Sequence, residues 1–180
     1  MPAVPPGPDA GPAAAPGTDE VDRIVAGWAA ARPDLDTSPL EVLSRVSRLA
    51  RHLEAARRAA FAASGIEGWE FDVLSALRRA GGEGVSAGAL VHQTLVTSGT
   101  MTTRIDKMAA RGLVTRARDP RDRRAVSIAL SPAGEAAVDQ AMERLVAAER
   151  EILAPLPAAS RAALASTLRE LLAGFEPAGD

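Results

Sequence analysis

Arginine is concentrated in one short segment of a chain that is acidic overall. The 180 residues carry a formal net charge of -2, but residues 111–124 hold six arginines against two aspartates, a local charge of +4. The arginines are Arg111, Arg116, Arg118, Arg121, Arg123 and Arg124. This density of guanidinium groups is typical of contacts with phosphates or with a narrowed DNA minor groove. We expect the tip residues Arg121, Arg123 and Arg124 to make that contact; a solvated charged turn is the alternative.

A second polar segment, VTSGTMTTRIDKM at residues 96–108, has the pattern of a helix whose first turns carry small hydroxyl side chains. Hydroxyl groups can donate to phosphates or base edges, and a helix N-terminus favours an anion. The candidates are Ser98, Thr100, Thr102 and Thr103. Lys107, the only lysine in the sequence, could reach a nucleic-acid backbone. Capping and simple solvent exposure are the alternative for each hydroxyl.

The sequence lacks the residues that several kinds of functional site require. The sequence has no cysteine and only two histidines, His52 and His92, which are far apart. Thiolate chemistry is therefore excluded, and a histidine-rich metal site has little material. We also find no phosphate-binding glycine motif and no nucleophile motif, so we expect neither an enzyme nor a cofactor. No apolar run is long enough to cross a membrane and no signal-peptide pattern opens the chain, which favours a cytoplasmic protein.

The elements that position the two polar segments follow from hydrophobic periodicity. Residues 1–17 are rich in Pro, Ala and Gly, which predicts a disordered tail. Residues 18–63 predict two amphipathic helices, the first ending near Arg32. In residues 64–130, one helix precedes two short helices of helix-turn-helix type, the second of them capped by Thr97 or Ser98 and ended by Gly112. Trp69, in the first of these three, is expected to pack in the core.

After Gly112 the apolar period changes from that of a helix to that of a strand. LVTRAR and AVSIAL alternate around the polar loop DPRDRR, which predicts a two-stranded β-ribbon. Residues 131–176 predict two further helices, the first capped by Ser131. Their apolar stripes are larger than one small domain can cover, so a second copy of the chain is the expected partner. The predicted fold is mainly α with a small β-ribbon wing, preceded by N-terminal helices and followed by C-terminal helices that are expected to dimerise.

This order of elements, with the motif RDPRDRRAVSIALSPAGE, resembles the MarR family of winged-helix transcription regulators over residues 38–176. The resemblance implies a homodimer with interlocked first and last helices. It also implies that each recognition helix enters a major groove of double-stranded DNA at a palindromic operator. Repression relieved by a small ligand is the activity it implies.

Finer features resemble the urate-responsive branch of that family. They are an added N-terminal helix with a tryptophan, an aspartate in EFDVL, and arginines in TRI and LVTRAR. The matching residues are Trp28, Asp72, Arg104 and Arg116. The resemblance therefore implies a ligand site for a small anion, with urate or another purine as the expected ligand.

The residue types suggest how such a site would work. Arg104 is flanked by Met101 and Ile105 on the buried side of its helix, and Asp72 lies between two apolar residues, where an unpaired charge is costly. We expect these two to pair, and an anion that pairs with Arg104 and stacks on Trp28 to repel Asp72 and shift the recognition helix. Three alternatives stay open: a structural ion pair with no ligand, a carboxylate or phenolic ligand, and a constitutive repressor.

Overall fold

The computed structural model describes residues 17–81, 84–94, 96–118 and 126–175. The chain divides into two compact units, Met1–His52 and Leu53–Asp180. The helices are α1 (Glu20–Ala31), α2 (Ser38–Ala62), α3 (Gly68–Arg79), α4 (Ala87–Thr94), α5 (Ser98–Ala110), α6 (Pro132–Leu153) and α7 (Ala158–Leu172). The strands are β1 (Val85–Ser86), β2 (Val114–Arg118) and β3 (Val126–Leu130). All but the last residue of the predicted disordered tail lie outside the described residues.

The first unit is organised by the N-terminus of α1. Asp19 caps this helix by accepting hydrogen bonds from the amides of Val21 and Asp22. Arg45 of α2 donates to both Asp19 and Asp22, at 2.8 and 2.7 Å. The hydrogen bond from Arg45 lowers the pKa of the Asp19 carboxyl below its usual value. The acidic first turn of α1 is therefore joined to α2 by one arginine.

The core of the second unit forms around α3, which is buried on nearly all sides. Phe71 of α3 stacks on Phe61, with ring centroids 4.3 Å apart. Leu74, Leu90, Met101, Met108 and Ile128 bring α3, α4, α5 and β3 into the same buried cluster. Arg78, at the far end of α3, donates to both carboxylate oxygens of Asp139 on α6, at 2.8 and 3.0 Å. The three helices predicted for residues 64–112 are thus confirmed and share one core.

The sheet has three strands rather than the two we predicted. Its order is β1-β3-β2 and both pairings are antiparallel, with Val85 opposite Ile128 and Arg116 opposite the same residue. β1 is two residues long, which is too short to show an alternating pattern in the sequence. Ser86 ends this strand, and its Oγ also accepts a hydrogen bond from the Ala89 amide at the start of α4.

The junction between α5, β2 and α6 is closely packed. Gly112 ends α5 with a φ of 71°, a conformation that favours glycine. The Ser131 hydroxyl donates to the Gly112 carbonyl at 2.6 Å and accepts from the Gly134 amide at 3.0 Å, which caps α6. A Cβ on Gly134 would lie 1.9 Å from the Leu113 carbonyl oxygen. This close approach fixes the start of β2 against the start of α6.

The C-terminal helices carry an apolar surface that the chain itself does not cover. α7 has no buried residue in the part of the chain that is described. Its large apolar side chains are at least a third exposed: Leu164, Leu168, Leu171, Leu172 and, just beyond the helix, Phe175. Within the described residues, no helix combines the length and hydrophobicity needed to cross a bilayer.

Candidate functional site

α5 has two different faces. Met101, Ile105 and Met108 are buried in the core and hold the helix in place. The hydroxyl residues and the lysine predicted to contact a partner are all exposed: Ser98, Thr100, Thr102, Thr103 and Lys107. Apolar residues at helical spacing thus turn the polar side chains of α5 toward solvent.

The threonine hydroxyls at the start of α5 make hydrogen bonds within the helix or to its cap. Thr97 caps α5 by accepting from the Thr100 amide, and its hydroxyl lies 2.9 Å from that of Thr100. Thr102 and Thr103 donate to the carbonyls of Ser98 and Gly99, both at 3.1 Å. Threonine in a helix commonly bonds to the carbonyl four residues earlier. In this conformation Thr102 and Thr103 offer oxygen acceptors outward, whereas the sequence had suggested donors.

Arg104 does not pair with Asp72, so that expectation is wrong. Its guanidinium carbon lies 5.4 Å from the centroid of the Trp69 ring, a cation–π contact. Asp72 is exposed and has no ion pair within the described structure. The physical reason is helical geometry, because residues next to each other on a helix lie about 100° apart, so buried neighbours do not bury the residue between them. Asp72 takes the solvent side of α3 between Phe71 and Val73.

Trp69 and Arg104 lie in the wall of an open cavity of about 410 Å³. The cavity is lined by Trp69 of α3 and by Gly99, Thr100, Thr103, Arg104 and Lys107 of α5. The Trp69 ring also packs against the core, as expected from the sequence. Its indole nitrogen donates to Glu67 at 2.7 Å. The cavity is thus formed between the first turn of α3 and the exposed face of α5.

Two arginines of the basic segment pair with acids inside the second unit. Arg116 of β2 pairs with Asp106 of α5. Arg111 pairs with Glu70, a residue only 1% exposed, and donates to the Gly65 carbonyl at 2.6 Å. In the single chain both arginines thus pair with protein carboxylates, which the charge count alone did not reveal. Arg121, Arg123 and Arg124 lie outside the described residues.

Sequence reasoning missed Glu70. Its side chain accepts from the Glu67 amide at 2.9 Å, which completes a capping box at the start of α3. The spacing Glu67-x-x-Glu70 before an apolar run was the available signal. Trp28, the remaining predicted ligand residue, belongs to the first unit, where half of its side chain is exposed.

Comparisons with known proteins agree with this architecture. A model of the MarR family matches residues 64–125. The HTH-type transcriptional regulator PecS of Dickeya dadantii (strain 3937) is 34% identical over 137 residues, which cover 76% of this chain and 82% of PecS. Wild-type apo MarR from E. coli has a similar fold, with a TM-score of 0.61 and 22% identity, covering 73% of this chain and 96% of MarR.

A third relative is a regulator with a stated ligand. BpsR of Bordetella bronchiseptica, whose DNA binding is regulated by 6-hydroxynicotinic acid, has a TM-score of 0.54 and 29% identity. The similarity covers 71% of this chain and 98% of BpsR. With α3, α4, α5, β1 and β2 in the matched region and PecS similar over most of its length, the chain belongs to the MarR family of DNA-binding transcription regulators, which are not enzymes.

Proposed function

We propose that the chain is a homodimeric repressor that binds a palindromic operator and is released by urate or a related purine anion. The observation that carries the DNA-binding half is the division of α5 into a buried apolar face and an exposed face of hydroxyls and Lys107. A helix held this way can enter a major groove without losing its packing. The loop between β2 and β3, with Arg121, Arg123 and Arg124, would reach the adjacent minor groove.

The uncovered apolar surface supports the dimer. MarR-family regulators bind DNA operators as dimers. The leucines of α7 and the residues Val42, Leu43, Val46 and Leu49 of α2 are exposed in the single chain. A second copy would bury such residues and place two recognition helices on one operator.

The proposed release by an anionic ligand rests on Arg104 and on the similarity to BpsR. Arg104 is a half-buried cation on α5, the proposed recognition helix, so an anion bound to it can influence this helix directly. Trp28, Asp72 and Arg116 are the further residues proposed for the ligand site. Regulation of BpsR by a flat heterocyclic acid favours a second candidate, a carboxylate ligand in the same site.

A mobility-shift titration on the chain's own upstream intergenic DNA tests the proposal. At fixed salt, we expect urate to release the DNA and hypoxanthine to do so much less, because of these two purines only urate is mainly an anion at neutral pH. Xanthine and 6-hydroxynicotinic acid test the related purine and the carboxylate. Arg104→Gln should still bind DNA and lose most of the response. Tight binding that no added compound weakens would contradict the ligand half and leave a constitutive repressor.

The wing makes a separate prediction. Arg123→Ala with Arg124→Ala should lower the magnitude of the slope of log K against log salt by up to about 3.6, because the dimer loses four cations and each neutralised phosphate contributes about 0.9. Fluorescence anisotropy of a labelled operator between low and moderate salt measures this slope. Arg144→Ala with Arg150→Ala on α6, which removes two exposed arginines from each protomer, is the control for the change in total charge. An unchanged slope in the double variant would exclude the wing from the interface.

A further inference from the structure

Arg111 joins the C-terminal end of α5 to two neighbouring elements of the second unit. It is the C-cap residue of α5, and its guanidinium group pairs with Glu70 in the first turn of α3. The same group donates to the Gly65 carbonyl, in the turn between α2 and α3, at 2.6 Å. A guanidinium group holds its donors in one plane, so two partners on separate elements restrict the position of the side chain. One residue therefore fixes the end of α5 against the start of α3.

The opposite side of this end is held by the start of α6. The Gly112 carbonyl accepts from the Ser131 hydroxyl at 2.6 Å, and the Ser131 amide donates to the Leu113 carbonyl at 3.1 Å. The threonines in the first half of α5 instead bond within the helix or its cap: Thr97, Thr100, Thr102 and Thr103. Among the described residues, the hydrogen bonds and ion pairs that tie α5 to other elements thus lie in its C-terminal half and just after it.

Stability alone does not account for the pair between Arg111 and Glu70. Glu70 is 1% exposed, and its Oε1 has no hydrogen-bond partner within the described structure. Removing one member of a buried ion pair is costly, but replacing both members by uncharged side chains of similar size is often neutral or stabilising. What such a pair can add is a single orientation of the two elements that it joins.

We propose that Arg111 is a positioning residue for the DNA contacts of α5, because its two bonds set the angle at which this helix leaves the core. This inference rests on the proposed function, in which α5 enters a major groove. Ser98, at the other end of the helix, lies about 20 Å from Arg111 along the axis, at about 1.5 Å per residue. A rotation of about 3° at the held end would therefore move Ser98 by about 1 Å, which is enough to lose a hydrogen bond to a base edge.

Operator discrimination by the full chain, compared between variants of similar stability, tests the inference. Glu70→Gln with Arg111→Met removes both charges but keeps an oxygen for the Glu67 amide and an aliphatic chain of similar length. We expect this double variant to unfold at a urea concentration close to that of wild type. Its ratio of affinity for the upstream intergenic DNA to affinity for scrambled DNA of equal length should fall about tenfold or more, the effect of losing one base contact. Fluorescence anisotropy measures both affinities.

Two further variants show whether the contact to α5 is responsible. Arg78→Met with Asp139→Asn is the matched control, because it removes an ion pair of the same charges between α3 and α6 without touching α5. It should keep the wild-type ratio. Arg111→Lys keeps a cation beside Glu70 but lacks the planar group that reaches both partners, so its ratio should lie between those of wild type and the double variant.

Salt dependence separates positioning from a direct contact of Arg111 with DNA. Binding to scrambled DNA reports mainly on phosphate contacts, so a positioning role should leave its affinity and its salt slope unchanged in the double variant. A decrease in the magnitude of that slope by about 0.9 for each lost phosphate contact would make Arg111 a DNA-contacting residue and would overturn the inference.

The remaining outcomes distinguish this inference from the proposed function. If wild type prefers the upstream DNA and the folded double variant keeps the same ratio, the inference is overturned and the proposed function stands. If wild type binds both DNAs equally, operator recognition falls and this inference falls with it. If the double variant does not fold, Arg111→Lys decides the matter, since full discrimination by a folded lysine variant would overturn the role of the two-partner contact.

Discussion

Leu168→Glu is expected to convert the dimer into monomers and to lower operator affinity by about two to four orders of magnitude. Leu168 lies in the middle of the apolar surface of α7, and a charge placed there would be buried without a partner in the dimer. A monomer meets one half-site at a time and loses the effective concentration that links the two recognition helices, which gives the expected range. Sedimentation velocity measures the assembly state, and anisotropy on a full operator measures the affinity.

Ser166→Glu provides the matched control. It introduces the same charge on the same helix, on the side opposite to Leu168. We expect this variant to stay dimeric and to bind the operator within about threefold of wild type, as surface substitutions rarely change stability much. Dimers of unchanged stability in Leu168→Glu would show that α7 is not part of the interface.

Arg111→Ala is expected to lower the free energy of unfolding by about 3 kcal/mol, because it leaves a buried carboxylate without its cation. Glu70 is 1% exposed, and its Oε1 has no hydrogen-bond partner within the described structure. The charge of this group is therefore compensated through Oε2, by Arg111 and by the Glu67 amide. Urea unfolding at a fixed protomer concentration measures the loss.

A second substitution checks the cause. In the Arg111→Ala background, Glu70→Gln removes the unpaired charge and should recover a large part of the lost stability. Arg144→Ala, at an exposed site on α6, should cost about 0.5 kcal/mol or less. A loss in Arg111→Ala no larger than in Arg144→Ala would mean that the pair does not stabilise the fold.

Local signals explain how much of the fold could be predicted. The helices of the second unit begin and end at residues with a specific backbone or capping role, such as Thr97, Gly112 and Ser131, and those roles can be inferred from the sequence. β1 could not be predicted, because its two residues are selected by pairing with β3, which is distant in sequence. Long-range pairing leaves no periodic pattern in so short a strand.

The candidate site was less predictable than the fold. The exposed side of α5 followed from its apolar spacing, which placed Thr100, Thr103 and Lys107 correctly at the surface. The partner of Arg104 could not be predicted from apolar spacing. The sequence places both an acid and an aromatic ring on α3, and only the packing of the helices decides which of them faces α5. Asp72 does not contact Arg104 because it occupies the exposed side of α3, whose other sides are mostly buried.

The presence of a single lysine in the sequence has a practical consequence. Of the 21 cationic side chains counted as lysine or arginine, Lys107 alone carries a primary amine. Arginine does not react with amine reagents at neutral pH, so acylation or reductive methylation can label only this side chain and a terminal amine. Because Lys107 is exposed on α5 and lines the cavity, its rate of labelling would report directly on what covers the recognition helix. The mass-spectrometric signal of the peptide that contains labelled Lys107 would then report operator and ligand occupancy in the wild-type chain.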